Sequence, residues 1–281
     1  MKSMILNGQF ISDTLRKQLH QQISTLPIQP KLVVILVGQN PASEIYVRNK
    51  QKACLSVGID CEIQKFPEDI SESQMIECIK SLNQSPETNG ILIQLPLPKH
   101  INVNHIIEWI DPKKDVDGFH PMNMGLLSLG TPKLRACTPY GIMQLMKAYH
   151  IDLIGKDVLV IGASRIVGLP MALELLNHKA TVTICHSKSK DLQEKIIQNE
   201  ILIVAAGQRQ LIQPSSFRAK HIIIDVGIHR LPNQTIVGDV DFEEASKIVQ
   251  AISPVPGGVG PMTIAALIQN VFLATQYQLE D

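Results

Sequence analysis

The sequence predicts an α/β protein with two lobes, each built on a mainly parallel sheet. Short apolar runs that favour β-strands alternate with segments of helical periodicity in both halves of the chain. The alternation is broken once, by a stretch over residues 111–137 that is rich in proline, glycine and lysine. So long a connection is usually functional or interdomain. We therefore expect a hinge in or near residues 111–140.

The composition is that of a globular protein without a nucleic-acid partner. The 281 residues suit one large or two ordinary domains, and 44% of them are hydrophobic. Basic and acidic residues balance at 26 each, with no basic stripe for a phosphate backbone. The five scattered cysteines form no C-x-x-C pair, the start of the chain turns polar too soon for a signal peptide, and no apolar run is long enough to span a bilayer. We expect reduced thiols, a cytoplasmic location and no membrane partner.

The first half predicts strand, helix, strand, helix, strand, which is the pattern of a parallel sheet covered on both faces. A first helix is predicted over residues 11–23. The strands are predicted at 32–37, 60–66 and 90–95, and the helices between them at 43–56 and 71–83, with serine available as N-cap. Thr138 is predicted to cap a further helix, with Pro139 at its first position and its end near Tyr149.

The alternation then starts again. Strands are predicted at 157–161, 181–185, 201–205 and 221–225, helices at 167–177 and 192–198, and a rigid loop over 253–263 before a last helix that ends near Tyr277. We expect an N-terminal α/β catalytic domain over 1–118, completed by the C-terminal helix 262–281, and a second domain over 140–252.

The first turn of the second lobe has the pattern of a nucleotide-binding loop. The strand before Gly162 runs into a tight turn and then a helix that contains Gly168. Such a helix start offers free N–H groups and a partial positive charge to a pyrophosphate. Ser164 stands where the usual fingerprint has its second glycine, so an ordinary strand-turn-helix remains open. The pattern favours a Rossmann-type dinucleotide-binding domain.

The end of the next strand favours NADP over NAD. An acidic residue there would hold the ribose 2′-hydroxyl of NAD. The chain instead has His186, Ser187 and Lys188, and a hydroxyl with nearby cations suits a 2′-phosphate. Arg165 adds a further charge in the preceding turn. A solvated turn is the alternative for Ser187 and Lys188.

Four polar residues of the first lobe are candidates for chemistry. Tyr46 and Lys50 lie four positions apart on one predicted helix and so share a face. Gln94 lies near the end of a predicted strand, and Asp117 lies in the long connection. Ligands of open α/β sheets gather beyond the carboxyl ends of the strands, where Gln94 and Asp117 are expected to converge on Lys50. A lysine packed on an aromatic ring is the structural alternative.

Seven segments, in order along nearly the whole chain, resemble the methylenetetrahydrofolate dehydrogenase/cyclohydrolase family. They are residues 43–53 (SEIYVRNKQKA), 90–98 (GILIQLPLP), 114–121 (KDVDGFHP), 162–170 (GASRIVGLP), 225–228 (DVGI), 237–240 (VGDV) and 254–263 (PVPGGVGPMT). The resemblance implies NADP-dependent oxidation of 5,10-methylenetetrahydrofolate, followed by hydrolysis of the methenyl product to 10-formyltetrahydrofolate. The expected ligands are thus NADP and a tetrahydrofolate derivative, and the expected assembly is a homodimer paired through the nucleotide-binding lobe.

The resemblance also implies roles for the four polar residues. Lys50 is the catalytic lysine of the cyclohydrolase step, Gln94 tunes it, Tyr46 shapes the folate site and Asp117 binds the pterin edge. These roles suit the residue types: a lysine in a desolvated cleft beside a cationic substrate can transfer protons near neutral pH. An amide can bind that amine without holding it as ammonium, and a carboxylate accepts from adjacent N–H donors.

The remaining site residues follow from the matching motifs. Further substrate-binding residues are expected at Pro256, Gly257, Gly258, Pro261 and Thr263. The cofactor-binding residues are expected at Gly162, Ala163, Ser164, Arg165, Val167, Gly168, His186, Ser187, Gly227 and Ile228. Many family members have arginine where this chain has Ala163, and we hypothesise that Arg165 compensates. No metal site is expected, because the histidines lack partners at ligand spacing.

Three alternatives remain at this point. A monofunctional, NAD-dependent methylenetetrahydrofolate dehydrogenase would be favoured by an acid after residue 185, and none is there. A non-catalytic folate- or nucleotide-binding module would be favoured by loss of Lys50, which is present. A shikimate-type dehydrogenase would explain the Gly162 turn but not the four polar residues of the first lobe.

Overall fold

The computed structural model describes residues 3–280 and contains eleven strands and ten α-helices over that range. The strands are β1 (Met4–Ile5), β2 (Lys31–Val37), β3 (Asp60–Phe66), β4 (Gly90–Ile93), β5 (Asp157–Ile161), β6 (Thr181–Cys185), β7 (Ile201–Val204), β8 (Ile222–Asp225), β9 (His229–Arg230), β10 (Ile236–Val237) and β11 (Ala251–Ile252). The helices are α1 (Gly8–Ile23), α2 (Pro41–Leu55), α3 (Glu72–Gln84), α4 (Val103–Glu108), α5 (Pro121–Ser128), α6 (Cys137–Ala148), α7 (Gly168–Asn177), α8 (Leu192–Gln198), α9 (Phe242–Ala245) and α10 (Val259–Leu279). A 3₁₀ turn covers Pro214–Ser216.

One compact unit comprises residues 14–137 and the chain from residue 266. Its sheet has three parallel strands in the order β3-β2-β4. The central strand β2 is buried from Leu32 to Val37, as expected for a strand covered on both faces. Helix α3 begins with a capping box, in which Ser71 and Gln74 bond each other's backbone N–H groups. The predicted serine cap is therefore confirmed at this helix.

The second compact unit comprises the chain up to residue 13 and residues 138–265. Its six strands are all parallel, in the order β1-β11-β8-β7-β5-β6. Strands β5, β7 and β8 are apolar and buried along most of their length, which makes them the centre of this sheet. A short antiparallel hairpin, β9 with β10, follows β8. The mainly parallel α/β architecture predicted from the sequence is confirmed.

Several element boundaries differ from the predictions, for local reasons. Helix α1 begins at Gly8, three residues early, because the Asn7 side chain accepts the backbone N–H of Phe10. Thr138 was wrongly predicted as an N-cap: α6 begins at Cys137, and the Thr138 hydroxyl lies 3.1 Å from the Thr263 hydroxyl.

The connection over residues 111–137 contains the helix α5, which the irregular sequence pattern did not predict. His120 caps it through Nδ1, which accepts the backbone N–H of Met122. The loop predicted to reach residue 263 ends earlier, since α10 begins at Val259. Across residues 3–280 no helix is both long enough and apolar enough to cross a membrane.

Candidate active site

Lys50 and Gln94 are in direct contact. Helix α2 carries Tyr46 and Lys50 one turn apart, and Gln94 directly follows the last residue of β4. The Lys50 Nζ donates to Gln94 Oε1 over 3.1 Å, and the Gln94 Nε2 donates to the carbonyl oxygen of Leu95 over 2.8 Å. The amide nitrogen of Gln94 thus bonds the backbone, and its amide oxygen accepts from the lysine. The predicted convergence of these two residues is found in the structure.

Asp117 lies within electrostatic reach of the same lysine. Loss of solvent around its carboxylate raises the pKa of Asp117, while the positive charge of Lys50 opposes that rise and Asp115 adds to it. The Asp117 carboxylate thus stands in a site where a hydrogen-bonding ligand would replace missing water. Tyr46 is 40% exposed on α2, as an aromatic ring that offers a face to a flat ligand must be.

Lys114 anchors the chain segment around Asp117 to the end of a helix. Lys114 is buried, and its Nζ donates to the carbonyl oxygens of Leu82, Asn83 and Ser85 over 3.2, 2.7 and 2.8 Å. These are orphan carbonyls at the C-terminal end of α3, where a cation is favoured. Burial lowers the pKa of Lys114. Its role is therefore structural.

Asp115 bonds the part of the chain that follows Asp117. Its Oδ2 accepts the backbone N–H of His120 and the side-chain amide of Asn123, each over 2.8 Å. Gly118 follows with φ +75°, and a Cβ there would stand 2.3 Å from the carbonyl carbon of Arg135. Both features fix the backbone around Asp117, and sequence reasoning did not single them out.

The nucleotide-binding pattern folds as a tight cradle in the six-stranded unit. Gly162 has φ +120°, and a Cβ there would lie 2.2 Å from the carbonyl oxygen of Ala205. A Cβ on Gly168 would lie 1.9 Å from the carbonyl oxygen of Gly162. The Ser164 hydroxyl accepts the N–H groups of Val167 and Gly168 over 3.2 and 3.4 Å. Ser164 thus closes the turn that leads into α7, whose N-cap residue Val167 has no side-chain cap bond of its own.

The side chains expected to contact the rest of a dinucleotide lie on exposed turns. Ala163 and Arg165 are exposed in the cradle, and His186 and Ser187 are exposed after β6. The backbone N–H of His186 donates to the Ser189 hydroxyl over 3.0 Å, which closes that turn. No acidic side chain stands directly after Cys185.

Gly227 and Ile228 follow β8, where Gly227 is buried and Ile228 is 47% exposed. The buried Asp225 accepts the N–H groups of Gly227, Asp239 and Val240 over 3.0, 3.0 and 2.9 Å. Burial raises the pKa of Asp225 to about 6. Sequence reasoning quoted the segments with Asp225 and Asp239 but gave these acids no role.

The predicted loop at residues 254–263 belongs to the six-stranded unit, whereas Lys50, Gln94 and Asp117 belong to the three-stranded one. The Val255–Pro256 bond is cis, and Gly257 has φ +98°. A Cβ on Gly258 would lie 2.4 Å from the carbonyl oxygen of Pro254. Pro261 and Thr263 already lie in α10, where the Thr263 hydroxyl donates to the carbonyl oxygen of Val259 over 3.3 Å.

Metal ligation has no candidate cluster in the part of the chain that the structure describes, since no group of three or more His, Cys, Asp or Glu side chains there could hold an ion.

One unit has a parallel sheet with a glycine cradle, and the other has a lysine–amide–carboxylate site. This combination is that of a two-unit, Rossmann-type α/β enzyme. Residues 6–117 match the model of the tetrahydrofolate dehydrogenase/cyclohydrolase catalytic domain, and residues 136–279 match that of its NAD(P)-binding domain. The chain belongs to the tetrahydrofolate dehydrogenase/cyclohydrolase family. The resemblance predicted from the seven segments is confirmed.

Relatives match the chain over its full length. "Bifunctional protein FolD" of Vesicomyosocius okutanii is 50% identical over 275 residues, covering 98% of this chain and 99% of that protein. The bifunctional FolD methylenetetrahydrofolate dehydrogenase/cyclohydrolase of Campylobacter jejuni is 47% identical with a TM-score of 0.95, covering 98% and 99% of the two chains. The Trypanosoma brucei enzyme, solved in complex with NADP cofactor and inhibitor, is 30% identical with a TM-score of 0.95 over 100% of both chains.

Proposed function

We propose that this chain oxidises 5,10-methylenetetrahydrofolate with NADP and then hydrolyses the 5,10-methenyl product to 10-formyltetrahydrofolate. The observation that carries this is the 3.1 Å contact of Lys50 with Gln94, beside Asp117, in the unit that matches the family's catalytic domain. Proteins that match this chain over nearly their whole length carry names for both activities.

The six-stranded unit holds the cofactor. Its cradle suits a pyrophosphate because Gly162 and Gly168 pack so closely against neighbouring backbone atoms that the turn lies tight against the start of α7, where N–H groups favour an anion. Ala163, Ser164, Arg165 and Val167 complete this turn. His186 and Ser187, with no acid beside them, suit a 2′-phosphate, and Gly227 and Ile228 line the loop after β8. NADP, when bound, accepts the hydride from the methylene carbon of the substrate.

The oxidation needs the protein to hold substrate and cofactor in the right position, and it needs no proton transfer by a side chain. Asp117 accepts the N–H donors of the pterin's aminopyrimidine edge, and Tyr46 packs against the folate. Pro256, Gly257, Gly258, Pro261 and Thr263 contribute to folate binding, since glycine permits close approach of the backbone and proline limits its motion. A bound, oriented pair of reactants reacts much faster than the same pair in solution.

Lys50 carries the hydrolysis. Water adds to the methenyl carbon, and the Lys50 amine takes one proton from it, which leaves a hydroxyl on that carbon. The hydroxyl then loses its proton to form the formyl C=O as the bond from this carbon to N5 breaks, and N5 takes up one proton. The formyl group stays on N10, and the proton first taken by Lys50 is released to water. Gln94 positions the Lys50 nitrogen through a neutral acceptor, its Oε1 atom, over 3.1 Å.

The chain acts in the cytoplasm, as a homodimer paired through the six-stranded unit. Strand β6 is at an edge of that sheet, and such edges carry unpaired backbone N–H and C=O groups. Ile184 on β6, with Leu169 and Leu176 on α7, is 38–52% exposed. Sedimentation should show a dimer for the wild type and a monomer for Ile184→Lys.

One assay tests both activities. 5,10-Methylenetetrahydrofolate is supplied with NADP or NAD, and the reduced cofactor and the methenyl absorbance are followed together. We expect reduction of NADP, with methenyl accumulation only in Lys50→Met. The control is Lys52→Met, an exposed lysine on the same helix, which should hydrolyse methenyl as the wild type does.

The same assay decides among the alternatives. Unchanged methenyl hydrolysis in Lys50→Met would contradict the role of Lys50. Reduction of NAD alone without hydrolysis would identify a monofunctional NAD-dependent dehydrogenase, and binding without turnover would identify a non-catalytic module.

A further inference from the structure

A buried acid that the proposed function leaves without a role ties down a loop at the cofactor edge of the six-stranded sheet. We propose that Asp239, together with His229, is a positioning residue that fixes residues 205–207 for the cofactor. This inference rests on the proposed NADP-dependent oxidation.

The strand order puts this loop beside the expected cofactor. Strand β5 leads into the Gly162 cradle and has β6 on one side and β7 on the other. The chain therefore adds strands first to one side of β5 and then to the other, which makes this point the topological switch point of the sheet. Dinucleotides bind at such a switch point, beyond the carboxyl ends of the strands. The adenosine half takes the β6 side, where the ribose is read. The nicotinamide half therefore meets the loop that follows β7.

Asp239 holds that loop through two consecutive backbone groups. Its Oδ2 accepts the N–H groups of Ala206 and Gly207 over 2.8 and 2.9 Å. Its Oδ1 lies 2.7 Å from the His229 Nε2, and its side chain is fully buried. A buried carboxylate is tolerated only when donors surround it. Three donors surround the Asp239 carboxylate, and two of them are the N–H groups of Ala206 and Gly207.

A second cofactor loop rests on the same carboxylate. A Cβ on Gly227 would stand 2.4 Å from the Asp239 carboxyl carbon, so Gly227 packs directly against it. The backbone carbonyl of Asp239 also accepts the N–H of Gln210 over 2.8 Å. Asp239 thus sets the path of the chain after both β7 and β8.

The bonded loop residues lie at the margin of the core. Gly207 is exposed, and Ala206 is half-buried and packs against a core that is formed by side chains such as Leu159 and Leu202. Loss of the Asp239 bonds is therefore expected to change the loop more than the packing of the sheet. Preorganised backbone around a ligand raises affinity because less ordering remains to be done on binding.

The test compares five forms of the full-length protein by calorimetric titration with NADP alone. They are the wild type, Asp239→Asn, His229→Ala, His229→Gln and Asp241→Ala. Asp241 is the matched control, since it caps α9 two residues away by accepting the N–H of Glu244 and has no bond to the loop. Hydrolysis of supplied 5,10-methenyltetrahydrofolate is measured in parallel, because that step uses no hydride acceptor.

We expect the NADP Kd to rise about tenfold in Asp239→Asn and about threefold in His229→Ala, as for loss of charge-assisted hydrogen bonds. His229→Gln, which keeps a donor, should restore most of the affinity, and Asp241→Ala should bind as the wild type does. Methenyl hydrolysis should be retained in all five.

Wild-type NADP affinity in both Asp239→Asn and His229→Ala would overturn the proposal. So would equal weakening in Asp241→Ala, or hydrolysis that falls in step with NADP affinity, since either would indicate general destabilisation. The titration contains no folate, so it tests Asp239 even if the wild type failed to turn over folate and the proposed function were wrong.

Discussion

The side-chain amide of Asn270 donates to the carbonyl oxygen of Val116 over 2.8 Å and so holds the residue directly before Asp117. The same amide donates to the carbonyl oxygen of Arg135 over 2.7 Å, next to the close approach of Gly118. Asn270 is fully buried on α10, far along the chain from both partners. One amide group therefore joins the two backbone segments that present Asp117.

Removal of this amide should weaken folate binding. Asn270→Ala leaves a buried carbonyl oxygen with fewer donors, which costs about 1–3 kcal/mol in the free energy of unfolding. We expect a raised KM for folate in both reactions and an unchanged Kd for NADP. The control is Thr275→Val on the same helix, where the buried hydroxyl bonds only the carbonyl oxygen of Val271 among the contacts described. Equal folate KM values in both variants would contradict the role of Asn270.

Gly118 should tolerate no side chain. Gly118→Ala combines a positive φ with a Cβ 2.3 Å from backbone atoms, so we expect a loss of at least about 2 kcal/mol in the free energy of unfolding and a raised folate KM. Gly155→Ala is the matched control, with φ +68° and no atom within 4 Å of the added Cβ. It isolates the backbone strain, and denaturant unfolding of both proteins measures the difference. Equal losses would show that the close approach at Gly118 has no cost.

Arg165 should matter for NADP and not for NAD. Its exposed guanidinium lies in the cradle turn, next to Ala163. Arg165→Ala should raise the KM for NADP about tenfold, the lower end of the effect of one charged hydrogen bond, because only NADP carries a 2′-phosphate. NAD serves as the internal control in the same assay. A parallel rise for both cofactors would refute compensation for Ala163.

His221 should make the protein lose stability in acid. Burial lowers its pKa from 6.5 to about 4, so the unfolded chain takes up a proton in this range before the folded one does. Its contribution is present above pH 6.5 and is lost as the pH falls to about 4, by at most about 3 kcal/mol. Asp225 acts with the opposite sign, because its raised folded pKa of about 6 gives stability that is lost as the pH rises through 6.

The two effects are separable by mutation. In His221→Asn the His221 effect is removed while Asp225 still titrates, so unfolding between pH 7 and 4.5 should show a variant that gains stability relative to the wild type as the pH falls. Identical pH profiles for the two proteins would exclude titration of His221 as the cause.

The strongest sequence patterns predicted what the structure contains. Strands β5 and β6 have the predicted bounds, since each is a short apolar or β-branched run between polar turns. Lys50 and Gln94 were brought together by reasoning from the carboxyl ends of parallel strands, and their side chains do bond. The roles of the individual site residues stay predictions until the variants are measured.

What was not predicted depends on contacts between distant parts of the chain. Strands β1 and β11 have two residues each, too few for any periodicity, and exist because they pair with each other and with β8. The Asp239 carboxylate binds N–H groups 32 and 33 positions earlier in the chain. The short strands have no local sequence signal. The only local signal at Asp239 is that an acid follows Gly238.

The Lys114 ammonium at the end of α3 makes this lysine a natural reporter of local opening. An amine-reactive reagent reaches a free, unprotonated amine, and Lys114 is 6% exposed and bonded to three carbonyl oxygens. The reference is Lys52, whose side chain is exposed on α2. Mass spectrometry of the labelled protein should find Lys52 modified at once and Lys114 only as fast as the segment detaches from α3. The ratio of the two labelling rates would then give the free energy of that local opening under native conditions.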